Sequence, residues 1–163
     1  MNIFTIRSAT KRDGKTLLRL INALADYEKL ARPDTAAQAR LYRDAFGKKK
    51  RFLVFLAFDG RIAVGYAIYF FTYSSFLALP TLYLEDLFVL PEYRKKKAGW
   101  KLFSACVAEA KKRGCGRMEW EVLDWNKVAI DFYERLGAKR LKGWLAYRLI
   151  RKQFDAIITP KRN

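Results

Sequence analysis

The stretch RFLVFLAFDGRIAVGYAIYFFTY, residues 51–73, constrains the fold more than any other part of the chain. Two apolar runs rich in β-branched and aromatic residues flank Asp59-Gly60, a dipeptide suited to tight hairpin turns. They predict two adjacent antiparallel strands, and Gly65 inside the second run predicts a bulge. A third apolar run over 81–89 follows the loop through Pro80. There Leu82, Leu84 and Phe88 alternate against Tyr83, Leu87 and Val89, apolar on both faces as in a central strand.

Helical spacing surrounds this block. Leu17, Leu20, Ile21, Leu24 and Tyr27 predict a first helix, entered past a Ser8 or Thr10 cap and ended by Pro33. Asp34 or Thr35 opens a second helix that runs to Phe46 and stops at Gly47. Further helices are predicted over 98–113 and 126–137. Strands are predicted over 2–9, 117–123 and 144–150, with a short helix before the final TPKRN. The order is strand, two helices, three strands, helix, strand, helix, strand. It defines an α/β class with a mixed central sheet flanked by helices, read as one domain over 1–163. A chain of 163 residues, 52% hydrophobic, is long enough to bury a full core.

The residue inventory narrows the chemistry. There is no histidine and there are two cysteines, Cys106 and Cys115. That excludes a conventional zinc site, a Ser-His-Asp triad and a Cys-His pair, and the cysteines read as free thiols. A general base must then be Asp, Glu, Tyr, Lys or Cys. The start carries no basic region before an apolar core, and no run approaches the roughly 18 apolar residues of a membrane span. A soluble, cytoplasmic protein without a membrane partner is expected. The net charge of +17 favours polyanions: nucleic acid, an anionic membrane surface or a phosphate-bearing cofactor.

Three stretches carry candidate chemistry. In YLEDLFV, Glu85 and Asp86 sit inside an apolar strand, where alternation sends them to opposite faces. Two ionised carboxylates there cost several kcal/mol each unless paired or solvated. Either each finds one of the 33 cations or a cleft opens beside the strand, and we take the cleft. In PEYRKKKAGW, Pro91 stops the strand and Ala98-Gly99 open a helix whose free N–H groups suit an anion, with four cations from Arg94 to Lys97 around them. The alternative is a solvated basic loop; it is not a Walker loop. In NKVAIDFYERLGA, Ala129, Phe132, Tyr133 and Leu136 share a helical face, so Tyr133 is either core or turned to the same cleft.

With these stretches, IRSATKRD, LADYEKL and GYAIYFFTYSSF, the chain resembles the GNAT superfamily of N-acetyltransferases almost end to end. It is most similar to the spermidine/spermine (diamine) acetyltransferase branch. The resemblance implies direct acetyl transfer from acetyl-CoA to a primary amine in a ternary complex, without metal, and a homodimer by analogy. It implies that the backbone of Leu87, Phe88 and Val89 binds the pantetheine. Arg94, Lys95, Lys96, Lys97, Ala98 and Gly99, with Trp100 behind them, match the pyrophosphate loop, and Asn126 and Ala129 match further cofactor contacts. Tyr133 matches the general acid to the thiolate. Glu85 matches the carboxylate that helps deprotonate the amine, and Tyr27, Glu28 and Asp86 match the amine channel.

Two departures stand out. Lys97 replaces the first glycine of the pyrophosphate loop, where glycine lets the backbone approach phosphate. The chain reads TYSSF where the polyamine enzymes of this branch read TYDPW, so Ser74 replaces an aspartate that fits a distal cation. Glu119 and Glu121 either restore negative charge locally or form a solvated edge pair. Polyamines thus become one option beside amino-acid-like amines such as thialysine and a protein lysine or N-terminus. The competing reading is a basic nucleic-acid-associated protein on this fold with weak or lost catalysis; a third keeps catalysis, as a protein acetyltransferase working near ribosomes or nucleic acid.

Overall fold

A computed structural model describes residues 4–159. The chain divides into two compact parts, the first through Glu121 and the second from Val122. In the first part, β1 (Thr5–Ser8), β2 (Leu53–Asp59), β3 (Ile62–Ser74), β4 (Leu79–Val89) and β5 (Arg117–Glu119) form one sheet in that order. The first four strands are antiparallel to their neighbours, and β5 is parallel to β4. Helices α1 (Gly14–Tyr27), α2 (Thr35–Phe46) and α3 (Ala98–Lys112) cover the sheet. One core joins Leu17 and Leu20 of α1 and Phe46 of α2 to Tyr66 and Phe88. The opposite core joins Leu102 and Cys106 of α3 to Leu82, Leu84 and Val89.

Local chemistry sets the helix ends. Asp13 takes bonds from Thr10 N at 2.8 Å and from both ends of the Arg7 fork, which fixes the entry to α1 through a short 3-10 turn. That pairing holds the Asp13 carboxyl well below the usual carboxylate range. Of the two expected caps, Thr10 stands at the start of the 3-10 turn, and the N-cap of α1 itself is Asp13. Helix α1 ends earlier than Pro33: Lys29 turns left-handed (φ 57°) and Leu30 N returns to Ala25 O, a backbone stop that needs no proline. Asp34 caps α2 by accepting from Ala37 N.

The hairpin forms as predicted, with Asp59 opposite Ile62 and Gly60 left-handed in the turn. The register shift in this pair leaves Val64 unmatched, next to Gly65. A Cβ on Gly65 would lie 2.6 Å from Phe88 O, so glycine there permits close approach of β4. Strand β4 contains a second register shift: Ile68 faces Asp86 and Tyr69 faces Leu84, so Glu85 has no counterpart on β3. The expected strict alternation is therefore wrong past Leu84. Leu82, Leu84, Leu87 and Val89 all pack toward α3, and Phe88 packs toward α1. One extra residue exchanges the faces.

The fifth strand of the sheet is shorter than predicted. β5 ends at Glu119, so Glu121 lies beyond it. In the second part, α4 (Lys127–Arg135) is capped by Asn126, and α5 is Phe154–Ile158. The predicted strand over 144–150 is absent from the ladders of the described residues, and Trp144, Leu145 and Tyr147 are exposed there. A strand needs a partner for its backbone groups, and sequence pattern alone cannot supply one. Residues 2 and 3 of the predicted first strand and the last four residues lie outside the described residues.

Candidate active site

The bulge at Glu85 organises the site. Because β4 swaps faces there, Glu85 is exposed and Asp86 is half-buried on the side of Tyr66. Tyr66 has no solvent access, and its hydroxyl donates to Asp86 Oδ2 at 3.2 Å. Burial is the main cause that pushes the Asp86 carboxyl up to about 6. The charges of Glu85 and Glu28 add to the shift, and the Tyr66 bond opposes it. Burial also raises Glu28. The Tyr66 phenol is pushed well above its ordinary value, first by burial and then by Asp86, so it stays a donor. The two carboxylates do not take opposite faces of a regular strand: one is the unmatched bulge residue and the other is held from β3.

Beside this carboxylate, the outer edge of β4 is open. β5 pairs with Thr81, Leu82 and Tyr83, and among the described residues no strand pairs with Leu84 to Val89 on that side. A ligand bearing amide groups can add to such an edge as a strand would. The edge leads through a 3-10 turn (Pro91–Tyr93) to the basic loop and α3. Lys95, Lys96 and Lys97 are exposed, Ala98 is buried, and the first backbone N–H groups of α3 have no intrahelical acceptor. Lys97 is the N-cap of α3 with φ 70°, and Lys95 has φ 59°; both are conformations that favour glycine. A Cβ placed on Gly99 would meet only Val89 Cγ2, at 3.8 Å, so there is room beside the backbone there for a ligand. Trp100, half exposed, follows it. The open edge, the helix N-terminus and the three lysines fit a ligand built of amides and phosphates.

Arg94 differs from the three lysines. It is half-buried, and its Nε donates to Val89 O at 2.9 Å. Its guanidinium carbon lies 4.3 Å from the Tyr27 ring centroid and 5.6 Å from that of Phe88. Tyr27 and Phe88 are 6.3 Å apart, and Phe88 and Tyr66 are 6.2 Å apart.

The other expected residues take varied places. Ser74 is buried, and its hydroxyl accepts from Leu77 N at 3.3 Å in the turn before β4. Glu119 pairs with Arg117 at 3.0 Å and lies opposite Tyr83. The Tyr83 phenol is raised by burial and then by Glu121, Glu85 and Glu119, which marks a run of carboxylates along β4 and β5. In the second part, Asn126 Oδ1 accepts from Ala129 N at 3.3 Å and so starts α4, and the rings of Phe132 and Tyr133 are 5.3 Å apart. Cys106 and Cys115 are free thiols; burial pushes Cys106 up to about 12. Among the described residues no group of three or more Cys, Asp or Glu could hold a metal, and no helix is long and apolar enough to cross a membrane. A cavity of about 490 Å³ lies along α1 from Lys15 to Asp26, closed by Arg32 beyond the helix, and shares no residue with this site.

The sequence did not point to Tyr66. The available signal was a tyrosine among core positions of β3, because a buried phenol needs a polar partner.

A bulged carboxylate beside a strand edge that feeds a basic helix N-terminus is an arrangement that suits an acyl-CoA ligand. Residues 17–138 match the model of the acetyltransferase (GNAT) family, and the chain belongs to that family. It is an acetyl-CoA-dependent N-acetyltransferase. Thialysine N-epsilon-acetyltransferase of Mus musculus is 35% identical over 154 residues, covering 88% of this chain and 90% of its own. An L-ornithine N5-acetyltransferase of Arabidopsis thaliana is 43% identical over 96 residues, 59% of this chain and 42% of that one. Among solved structures, AAC(6')-Iy with a CoA bisubstrate analogue superimposes with a TM-score of 0.75 at 20% identity, covering 91% of this chain and 99% of that one.

Proposed function

We propose that the protein acetylates the side-chain amine of a small, amino-acid-like diamine, with Asp86 as the proton acceptor. The observation that carries this reading is the Asp86 carboxylate, pushed up to about 6 and tied to Tyr66 at the edge of an open strand. An alkylammonium has a pKa near 10.4, so an ordinary exposed carboxylate is a weak acceptor for its proton. Raising Asp86 narrows that gap by about 3 kcal/mol, at 1.36 kcal/mol per pKa unit. It still leaves Asp86 ionised, and therefore basic, at neutral pH.

The chemistry balances with few groups. The ammonium gives one proton to Asp86, and the free amine attacks the thioester carbonyl. The C–N bond forms as the C–S bond breaks. The family resemblance assigns Tyr133 to protonate the departing sulfur, and the second amine proton restores the phenol. Glu85, exposed beside Asp86, is assigned to the entering ammonium, directly or through water. The backbone of Leu87, Phe88 and Val89 is assigned to the pantetheine amides. Lys95, Lys96, Lys97 and the N–H groups of Ala98, Gly99 and Trp100 are assigned to the phosphates, with Asn126 and Ala129 as further contacts.

The acceptor is read from the carboxylates. The charges of Glu28 and Glu85 act on Asp86, and Glu119 at the end of β5 and Glu121 beyond it act on Tyr83 of β4, in a chain of net charge +17. Such local negative charge suits a substrate with a second cation close to the reacting amine. Ser74 is engaged in its turn and adds no distal charge, which favours short diamines over spermine. The names of the thialysine and ornithine relatives support the same class. A homodimer belongs to this reading, supported by the exposed apolar side chains of 144–150. Thiol release from acetyl-CoA, measured across thialysine, ornithine, lysine, spermidine, spermine and a basic peptide, tests it. Thialysine and ornithine should turn over best; exclusive use of the peptide would contradict the substrate class.

A further inference from the structure

We propose that Arg94 is a positioning residue for the amine side of the site and is not a phosphate ligand. The proposal rests on the acetyl-transfer reading above. Four cations stand in a row at the mouth of α3, and position alone would give all four the same task. Their surroundings divide them. Lys95, Lys96 and Lys97 are exposed, whereas Arg94 is half-buried and committed on two sides.

One commitment is to the strand. Arg94 Nε donates to Val89 O at 2.9 Å, at the end of β4. The other is to α1. The guanidinium lies 4.3 Å from the centre of the Tyr27 ring, with Phe88 at 5.6 Å. Tyr27 is the last residue of α1 and precedes Glu28. That helix has no basic residue in its own last turn, where a cation is favourable. Arg94 supplies one from another element.

The contact has a consequence for the reacting groups. Rings continue from Tyr27 to Phe88 and from Phe88 to Tyr66, whose hydroxyl holds Asp86. Arg94 thus fixes the end of α1, and with it Tyr27 and Glu28, against the strand that carries Asp86. Arginine can donate from Nε to a carbonyl while laying a flat cationic face on a phenol; lysine, whose single ammonium can sit over a ring as Lys96 does over Tyr93, cannot make both contacts at once. A phosphate ligand, in contrast, tolerates lysine as a point charge.

Arg94→Lys and Arg94→Gln separate the two roles. The expected result for Arg94→Lys is a KM for thialysine raised about tenfold, with kcat and the CoA dissociation constant within about twofold of wild type. In a Tyr27→Leu background the same change should have little further effect on KM, because the stacking partner is already gone. Arg94→Gln should resemble Arg94→Lys in KM. A CoA affinity lowered about tenfold with thialysine KM unchanged would overturn the proposal, as would independent, multiplying effects of Arg94 and Tyr27. If wild type acetylates no amine, the functional reading fails by itself. The Arg94–Tyr27 pair is then decided by denaturant unfolding of the two single variants and the double: coupling supports the contact, and additive losses overturn it.

Discussion

The hydroxyl of Tyr66 donates to Asp86 across the β3–β4 pair, at 3.2 Å, from a position without solvent access. A donor fixed in the core holds a carboxylate that burial would otherwise push still higher. The bond therefore sets both the direction of the acid and its strength as a base.

Asp86 should cost stability at the pH where it works. Its folded value of about 6 lies above the ordinary 3.8, so the folded protein binds this proton more tightly than the unfolded chain. The resulting stabilisation is fully present below about pH 4 and is lost as pH rises through 6. Asp86→Asn keeps an acceptor for Tyr66 and removes the charge. It should raise stability by up to about 3 kcal/mol at pH 7.5 and by little at pH 4. Denaturant unfolding at the two pH values checks this; equal effects at both would show that the carboxyl is not strained by burial.

The left-handed backbone at Lys97 gives a second test. An L-residue there costs roughly 1–2 kcal/mol, part of which glycine returns as unfolded-state entropy. Lys97→Gly should raise stability by about 0.5–1 kcal/mol, or about 2 °C in Tm for a chain of this size. Lys97→Ala, which keeps the Cβ, should not. Thermal unfolding of the pair separates backbone strain from charge, since both variants lose the same cation.

Much of this site could be read in the sequence, and the missing parts share a cause. The hairpin, the helix faces and the chemistry of YLEDLFV and RKKKAG depend on local pattern, which sequence preserves. The bulge at Glu85 does not: it arises from register between β3 and β4, and nothing in YLEDLFV marks which residue is unmatched. That single displacement is why the base proposed here is Asp86 where the family resemblance points to Glu85. Tyr66 and Arg94 were undervalued for a similar reason, because their partners lie 20 and 67 positions away in sequence. The segment 144–150 has the composition of a strand without a ladder among the described residues.

Tyr133→Phe removes one oxygen and leaves the ring that lies 5.3 Å from Phe132. Turnover should fall about a hundredfold, while the CoA dissociation constant stays within about twofold, because general acid catalysis contributes 10²–10⁴-fold and no binding group is lost. Stopped-flow thiol release and calorimetry with CoA give the two numbers. Unchanged turnover on a good acceptor would assign Tyr133 to packing.

The pH dependence of kcat/KM for thialysine, in wild type, Asp86→Asn and Glu85→Gln, tests the central claim most directly. Wild type should rise through a limb near pH 6, where Asp86 ionises, and level off above it. Glu85→Gln should keep the rising limb, moved to lower pH because one of the charges that raise Asp86 is gone. Asp86→Asn should lose the limb and recover part of its rate only at high pH, where solution deprotonates the amine. A limb that survives in Asp86→Asn and disappears in Glu85→Gln would contradict the account.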